Sequence, residues 1–154
     1  NDLDGEIINL FRVLQDEASA TELIRLLTLT PFAREEFEQS YLPTDDPILR
    51  ACRLCVRSFM GFSSGAATGR KTGFRSRSGR SNTGPAMDWR NYPDNLWAIV
   101  DRLRGVTIES RPGLQVIKSL DTPETLFYVD PPYPASTRTN FGTYRHEMTD
   151  AEHE

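Results

Sequence analysis

The chain has 154 residues, a hydrophobic fraction of 38% and a formal net charge of −4. That length suffices for one compact core, or a core with a small inserted subdomain, and the hydrophobic content lies above that of a disordered chain. No run of about 18 apolar residues occurs, so no membrane-spanning helix is predicted, and the opening Asn1-Asp2-Leu3-Asp4 is not a basic, apolar signal segment.

In chain order, Ile7, Ile8, Leu10, Phe11 and Leu14 recur at helical spacing and predict a helix over residues 4–15, with Asp2 and Asp4 ahead of it as caps. A second, short helix is predicted over 21–29. Thr30-Pro31 then reads as a restart, a Thr cap with Pro at the first helical position and Phe32 and Phe37 on one face. A fourth helix is predicted over 46–60, with Pro47 near its start and Gly61 as its stop. Inside it lie the two cysteines of the chain, Cys52 and Cys55. A zinc site would need a second pair or two histidines at ligand spacing, and a thioredoxin-like redox site would need a strand before the motif. The sequence supplies neither, so the pair reads as reduced core thiols of a cytosolic protein.

Between residues 61 and 85 Ser, Gly, Thr and Arg dominate, and Phe62 and Phe74 are the large apolar side chains. Such a segment buries little surface and is predicted to be a long loop or a loose hairpin. From residue 47 to 87 there is no acidic residue, while Arg50, Arg53, Arg57, Arg70, Lys71, Arg75, Arg77 and Arg80 contribute +8. The remainder of the chain therefore carries −12, the difference between −4 and +8. A basic block inside an acidic protein is an electrostatic footprint for a polyanion; the plainer alternative is a solvated loop.

Regular structure resumes with Asp94 as the cap of a helix over 96–104, closed by Gly105. Residues 106–108 read as a strand, 114–120 as a short helix and 126–129 as a buried strand. Strand, helix and strand with short connections form the βαβ unit of a parallel sheet, so the predicted fold class is α/β. A loop rich in Thr, Arg and Tyr follows, and Thr149-Asp150-Ala151-Glu152 has the capping-box pattern. No internal repeat is visible.

The sharpest chemical signal is Asp130-Pro131-Pro132-Tyr133, directly after the apolar run 126–129. In an open parallel sheet, ligands gather outside the carboxyl ends of the strands, where this tetrapeptide is expected to lie. Two prolines remove two backbone donors and stiffen the turn. The Asp130 carboxylate and the Pro131 carbonyl then serve as two acceptors, with Tyr133 as a flat face beside them. Together they make a receptor for a planar group bearing an NH2, such as a nucleobase amine.

At these residues the chain resembles the Dam-type adenine-N6 DNA methyltransferases, phage versions among them. Their DPPY motif, at the end of a strand, is matched in full by Asp130 to Tyr133. The likeness extends through Thr125 to Val129 before it, and afterwards through Arg138, Tyr144-Arg145-His146 and Met148 to His153. Residues 1–9 resemble the family's segment after its second strand, where the acid matching Asp2 is associated with the cofactor ribose. Ser58-Phe59-Met60-Gly61 and Thr72-Gly73-Phe74-Arg75 resemble its target-recognition region.

The resemblance implies an S-adenosylmethionine-dependent enzyme of Rossmann-like α/β fold acting on double-stranded DNA, in a bacterial or phage-infected cytoplasm. Residues 1–17 and 93–154 would belong to the methyltransferase core, and 18–92 to a mainly helical target-recognition insert. It implies catalytic roles for Asp130, Pro131, Pro132 and Tyr133, and a cofactor site at Asp2, Ser110, Arg111 and Asp130, with no metal needed. Arg70, Lys71, Arg75, Arg77, Arg80, Arg138 and Tyr144 are the expected DNA contacts. Trp89 and Tyr92 are expected to pack beneath the insert, and His146 and His153 to be surface or DNA-proximal residues rather than ligands.

Two departures stand out. The family's Gly-rich motif, which holds the methionine end of the cofactor, would lie upstream of Asn1. With no initiator Met and a predicted helix starting at the final residues, the sequence reads as an excerpt expected to be inactive alone. Pro112-Gly113 stands where relatives often carry an acidic residue, beside Ser110 and Arg111. A cytosine-N4 or RNA methyltransferase is the neighbouring enzymatic reading, since the acceptor pair suits any nucleobase amine; the Asp of the motif and its flanks favour adenine. An inactive DNA-binding module is the rival of another class, opposed by the intact Asp130 to Tyr133.

Overall fold

Asp4 opens the first helix, α1 (Gly5–Gln15), by accepting the Glu6 amide N–H at 2.9 Å, which satisfies one of the donors a helix start leaves open. This computed structural model describes residues 1–62, 70–76, 84–138 and 145–153. Asp16 ends α1 and caps α2 (Glu17–Leu29), accepting from the Ser19 amide at 2.8 Å. The second helix therefore starts four residues earlier than its apolar pattern predicts. The expected restart at Thr30-Pro31 is displaced as well. Thr30 is engaged backwards, its amide and its hydroxyl both donating to the Leu26 carbonyl, so it closes α2. The next helix, α3 (Arg34–Gln39), begins after Ala33 without a side-chain cap.

Helix α4 (Pro47–Met60) matches its prediction, with Asp46 accepting the Leu49 amide N–H at 2.8 Å and Gly61 as its end. It is the axis of the core. Ala51, Cys52, Cys55, Val56 and Met60 are buried along it, in one cluster with Val13 and Leu14 of α1, Leu23 and Leu27 of α2 and Phe37 of α3, and Leu54 is buried as well. Each large side chain buried this way contributes roughly 1.5–3 kcal/mol, which explains why six short helices hold together. Two of them follow the basic segment: α5 (Pro85–Asn91), which the periodicity does not reveal, and α6 (Leu96–Leu103). A 3-10 turn at Pro93–Asn95 joins them, so Asn95 rather than Asp94 precedes α6. Gly105, at φ 76°, ends this region in the left-handed conformation that glycine accepts without strain. Trp89 and Tyr92 pack as expected, stacked on each other and tilted against Phe59, and the Trp89 indole N–H donates to the Thr30 carbonyl at 2.8 Å.

The α/β prediction is overturned, and the Rossmann-like assignment with it. Among the described residues there is no β-strand; the single pairing outside helices is an antiparallel bridge between Gly61 and Phe74. Residues 106–108 and 126–129 have no ladder partner among the described residues, and the segment expected to be buried is open: Leu126 is 95% and Tyr128 92% exposed. The physical reason is that β-branched and aromatic residues favour extended backbone, but a strand exists only when a second edge takes its N–H and C=O groups. The described elements nearby are helical, among them α7 (Gly113–Leu120), which forms where predicted but buries none of its side chains. The capping box at Thr149 is present, on a 3-10 turn, Asp150–Glu152.

Candidate active site

The first turn of α1 gathers acidic side chains, favourably placed at the positive end of the helix dipole. Asp2 accepts the Asp4 amide N–H at 2.7 Å, and Asp4 in turn caps Glu6. Asp2 also donates its own amide to the Glu109 carbonyl at 3.1 Å. Next to it, the Asn1 side chain brackets Arg111, donating to its carbonyl at 2.9 Å and accepting its amide at 3.1 Å. The segment around Ser110 and Arg111 thus lies against the segment around Asp2. Arg111 itself forms a two-pronged ion pair with Glu109, at 3.0 and 2.8 Å.

A cavity of about 880 Å³ opens beside this turn. Asp2 and Asp4 line it together with Asp130, Pro131, Pro132 and Tyr133, and apolar side chains of α1, α4 and α7 complete it. Asp130 is exposed and Tyr133 is 64% exposed, so a carboxylate and a ring face are both open to a ligand. Ser110 and Arg111 are outside the lining, and Arg111 reaches it through Asn1. The cavity's lining therefore joins Asp2, from the expected cofactor set, to all four expected catalytic residues, across most of the chain. Arg145 and His146 line it too, and Arg145 donates to Asp4 at 2.9 Å. Sequence reasoning assigned Arg145 no role and read Asp4 only as a cap; the signal lay in their charges, but nothing local brought them together.

The expected DNA contacts divide. Residues 70–76 fold back on the helical core: Phe62 donates its amide to the Gly73 carbonyl and Arg75 to the Met60 carbonyl, both at 2.7 Å. Phe74 packs on Phe32 and Phe37. Lys71 pairs with Glu38 and lies over Tyr41, while the Arg75 guanidinium lies 5.9 Å over the Phe59 ring. Arg70 is exposed on the same stretch. Arg138 is engaged by Glu147 through two bonds, at 3.1 and 2.6 Å. Arg77, Arg80 and Tyr144 lie outside the described residues. Cys52 and Cys55 are free, buried thiols, and among the described residues no cluster of His, Cys, Asp and Glu offers three groups to a metal ion.

A family model for D12 class N6 adenine-specific DNA methyltransferases matches residues 1–154. The chain belongs to that family. As a D12 methyltransferase it is an S-adenosylmethionine-dependent enzyme whose substrate is DNA adenine. No curated protein and no solved structure matches it. Among the described residues of this D12 chain, no helix is long and apolar enough to cross a membrane.

Proposed function

We propose that the Asp130 cavity is where this D12 methyltransferase brings a flipped-out adenine to the methyl donor. The observation that carries the reading is the joint lining of one cavity by Asp2 and by Asp130 to Tyr133. The donor set fits S-adenosylmethionine: carboxylates for hydroxyl groups and for a cationic molecule, and apolar walls for a purine. Asp2, with the neighbouring Ser110 and Arg111, would hold the nucleoside portion, and Asp130 would face the reacting end.

The methyl donor supplies an electrophilic carbon when bound. The chain's own groups supply the rest. An adenine amine is a weak nucleophile because its lone pair is delocalised into the ring. The Asp130 carboxylate and the Pro131 carbonyl accept its two N–H bonds, which favours a pyramidal nitrogen with a localised lone pair. As the nitrogen gains positive charge, the fixed carboxylate stabilises it, and the amine proton leaves to water rather than being stored on Asp130. The open ring of Tyr133 stacks on the base once it has left the duplex. We further propose that residues 18–92 form the target-recognition unit, on which Arg70, Lys71, Arg75, Arg77 and Arg80 track phosphates, with Arg138 and Tyr144 as DNA contacts nearer the cavity.

The test is Asp130→Ala in the intact protein. Single-turnover methylation of mixed-sequence DNA is expected to fall by about 10²–10³, the cost of removing one such electrostatic interaction, with DNA affinity retained. Near-normal methylation by this variant would remove Asp130 from the role assigned to it.

A further inference from the structure

The chain that leaves the DPPY motif returns to the first turn of α1. Arg145 Nη1 donates to Asp4 Oδ1 at 2.9 Å, joining residues 141 positions apart. The same oxygen accepts the Glu6 amide at 2.9 Å, and the Asp4 amide is held by Asp2 at 2.7 Å. Arg145, His146 and Met148 line the cavity alongside Asp130 and Tyr133. We infer that Arg145 is a positioning residue for methyl transfer: through its ion pair with Asp4 it holds residues 145–148 as a wall of the cavity in which Asp130 works. The inference rests on the reading of that cavity given above.

Three features carry it. Asp4 is fixed before Arg145 arrives, because its carboxylate is already the cap of α1 and only 13% of the side chain is exposed; the pair therefore costs little further ordering. Glu6, the other carboxylate of that turn, is committed to α4, with Arg50 at 2.5 Å and Arg57 at 3.8 Å. Asp4 is thus the acid that serves the catalytic side. Finally, Arg145 is 40% exposed, and ion pairs of that openness contribute little to folding. Its effect is expected in geometry instead, where a displacement of about 1 Å near reacting atoms costs on the order of 10²-fold in rate.

The test compares Arg145→Gln, Arg145→Lys, Asp4→Asn and the double variant Asp4→Asn/Arg145→Gln in the intact protein. Asparagine keeps a cap acceptor for α1 and removes only the charge. Single-turnover methylation of mixed-sequence plasmid DNA is measured, together with S-adenosylmethionine affinity by calorimetry, the salt dependence of DNA binding, and Tm. Arg145→Gln and Asp4→Asn are each expected to slow methylation by about 10–100-fold. The double variant is expected to be no slower than the slower single one, and lysine to recover part of the rate. Cofactor affinity, salt slope and Tm stay near those of the unaltered protein. A normal rate in Arg145→Gln, or fully additive losses, overturns the inference. So does a fall of about 0.9 in the slope of log K against log salt, which would make Arg145 a phosphate ligand. Absence of N6-methyladenine with the unaltered protein overturns the reading of the cavity and this inference together, a result distinct from the others.

Discussion

Cys52 and Cys55 sit one helical turn apart in α4, buried between α2 and α5, and burial pushes both thiols up to about 11. For Cys52 the neighbouring Cys55 adds to the rise; Tyr92, bonded to Cys55, is raised too, chiefly by burial. In an unfolded chain a thiol titrates near 8.5. Between about pH 9 and 11 the unfolded state sheds protons that the native state keeps, so stability that is full below this window declines as pH rises through it. Urea midpoints measured from pH 8 to 11 are expected to fall steadily, and less steeply in Cys52→Ala/Cys55→Ala. The native thiols should also resist a disulfide reagent at pH 8 until urea unfolds the protein; labelling at free-thiol rates would place them at the surface. The reading of the pair as core thiols was available from the sequence, because the residues fall inside an apolar helical pattern. The partnership of Arg145 with Asp4 was not, because no local pattern encodes an interaction across 141 positions.

Among the elements, α1 and α4 were legible because each has a long apolar period and an Asp cap, and α7 because Leu114, Val116, Ile117 and Leu120 fall at helical spacing. Helix α5 was not: at seven residues it has no room for a period, and its signals are Pro85 at the start and Trp89 turned inward. The strands failed for the opposite reason. Leu126 to Val129 carry strong strand chemistry, but pairing depends on a neighbouring edge, which composition does not report. The junction of α4 with the basic segment is the element most sensitive to a single atom. A Cβ at Gly61 would stand 2.6 Å from the Arg57 carbonyl oxygen and 2.8 Å from Thr72 Oγ1. Its backbone angles are ordinary, so the demand is for space. Gly61→Ala is expected to cost about 1–3 kcal/mol, the range for overpacking, read as a lower urea midpoint with an unchanged m-value. An unaltered midpoint would mean that residues 70–76 do not lie close against the end of α4.

For the whole molecule, the distribution of charge matters more than its sum. A +8 stretch lies within a chain of net −4, the kind of asymmetry that would orient a protein on a polyanion and keep its acidic remainder away from it. The described part of that stretch is not adrift: Lys71 and Arg75 rest on Tyr41 and Phe59, rings of the helical core. Neutralising Arg70, Lys71, Arg75, Arg77 and Arg80 together is expected to weaken DNA binding and flatten its salt dependence, by about 0.9 in slope for each phosphate that no longer has a cationic partner. An unchanged slope would reduce the segment to a solvated loop. The family was readable from four residues and their flanks, whereas the cavity that unites Asp2 with Asp130 required the folded chain.

The contact of Arg75 with the Phe59 ring, and of that ring with Trp89 at 5.3 Å and a tilt of 57°, gives the protein a built-in optical gauge. Trp89 is buried, while Trp97 is 43% exposed, so the two indoles emit from different surroundings and a water-borne quencher reaches mainly one. The shielded emitter is a single aromatic ring from the basic segment. Movement of that segment can therefore be followed by fluorescence in unlabelled protein, with the exposed indole as an internal reference.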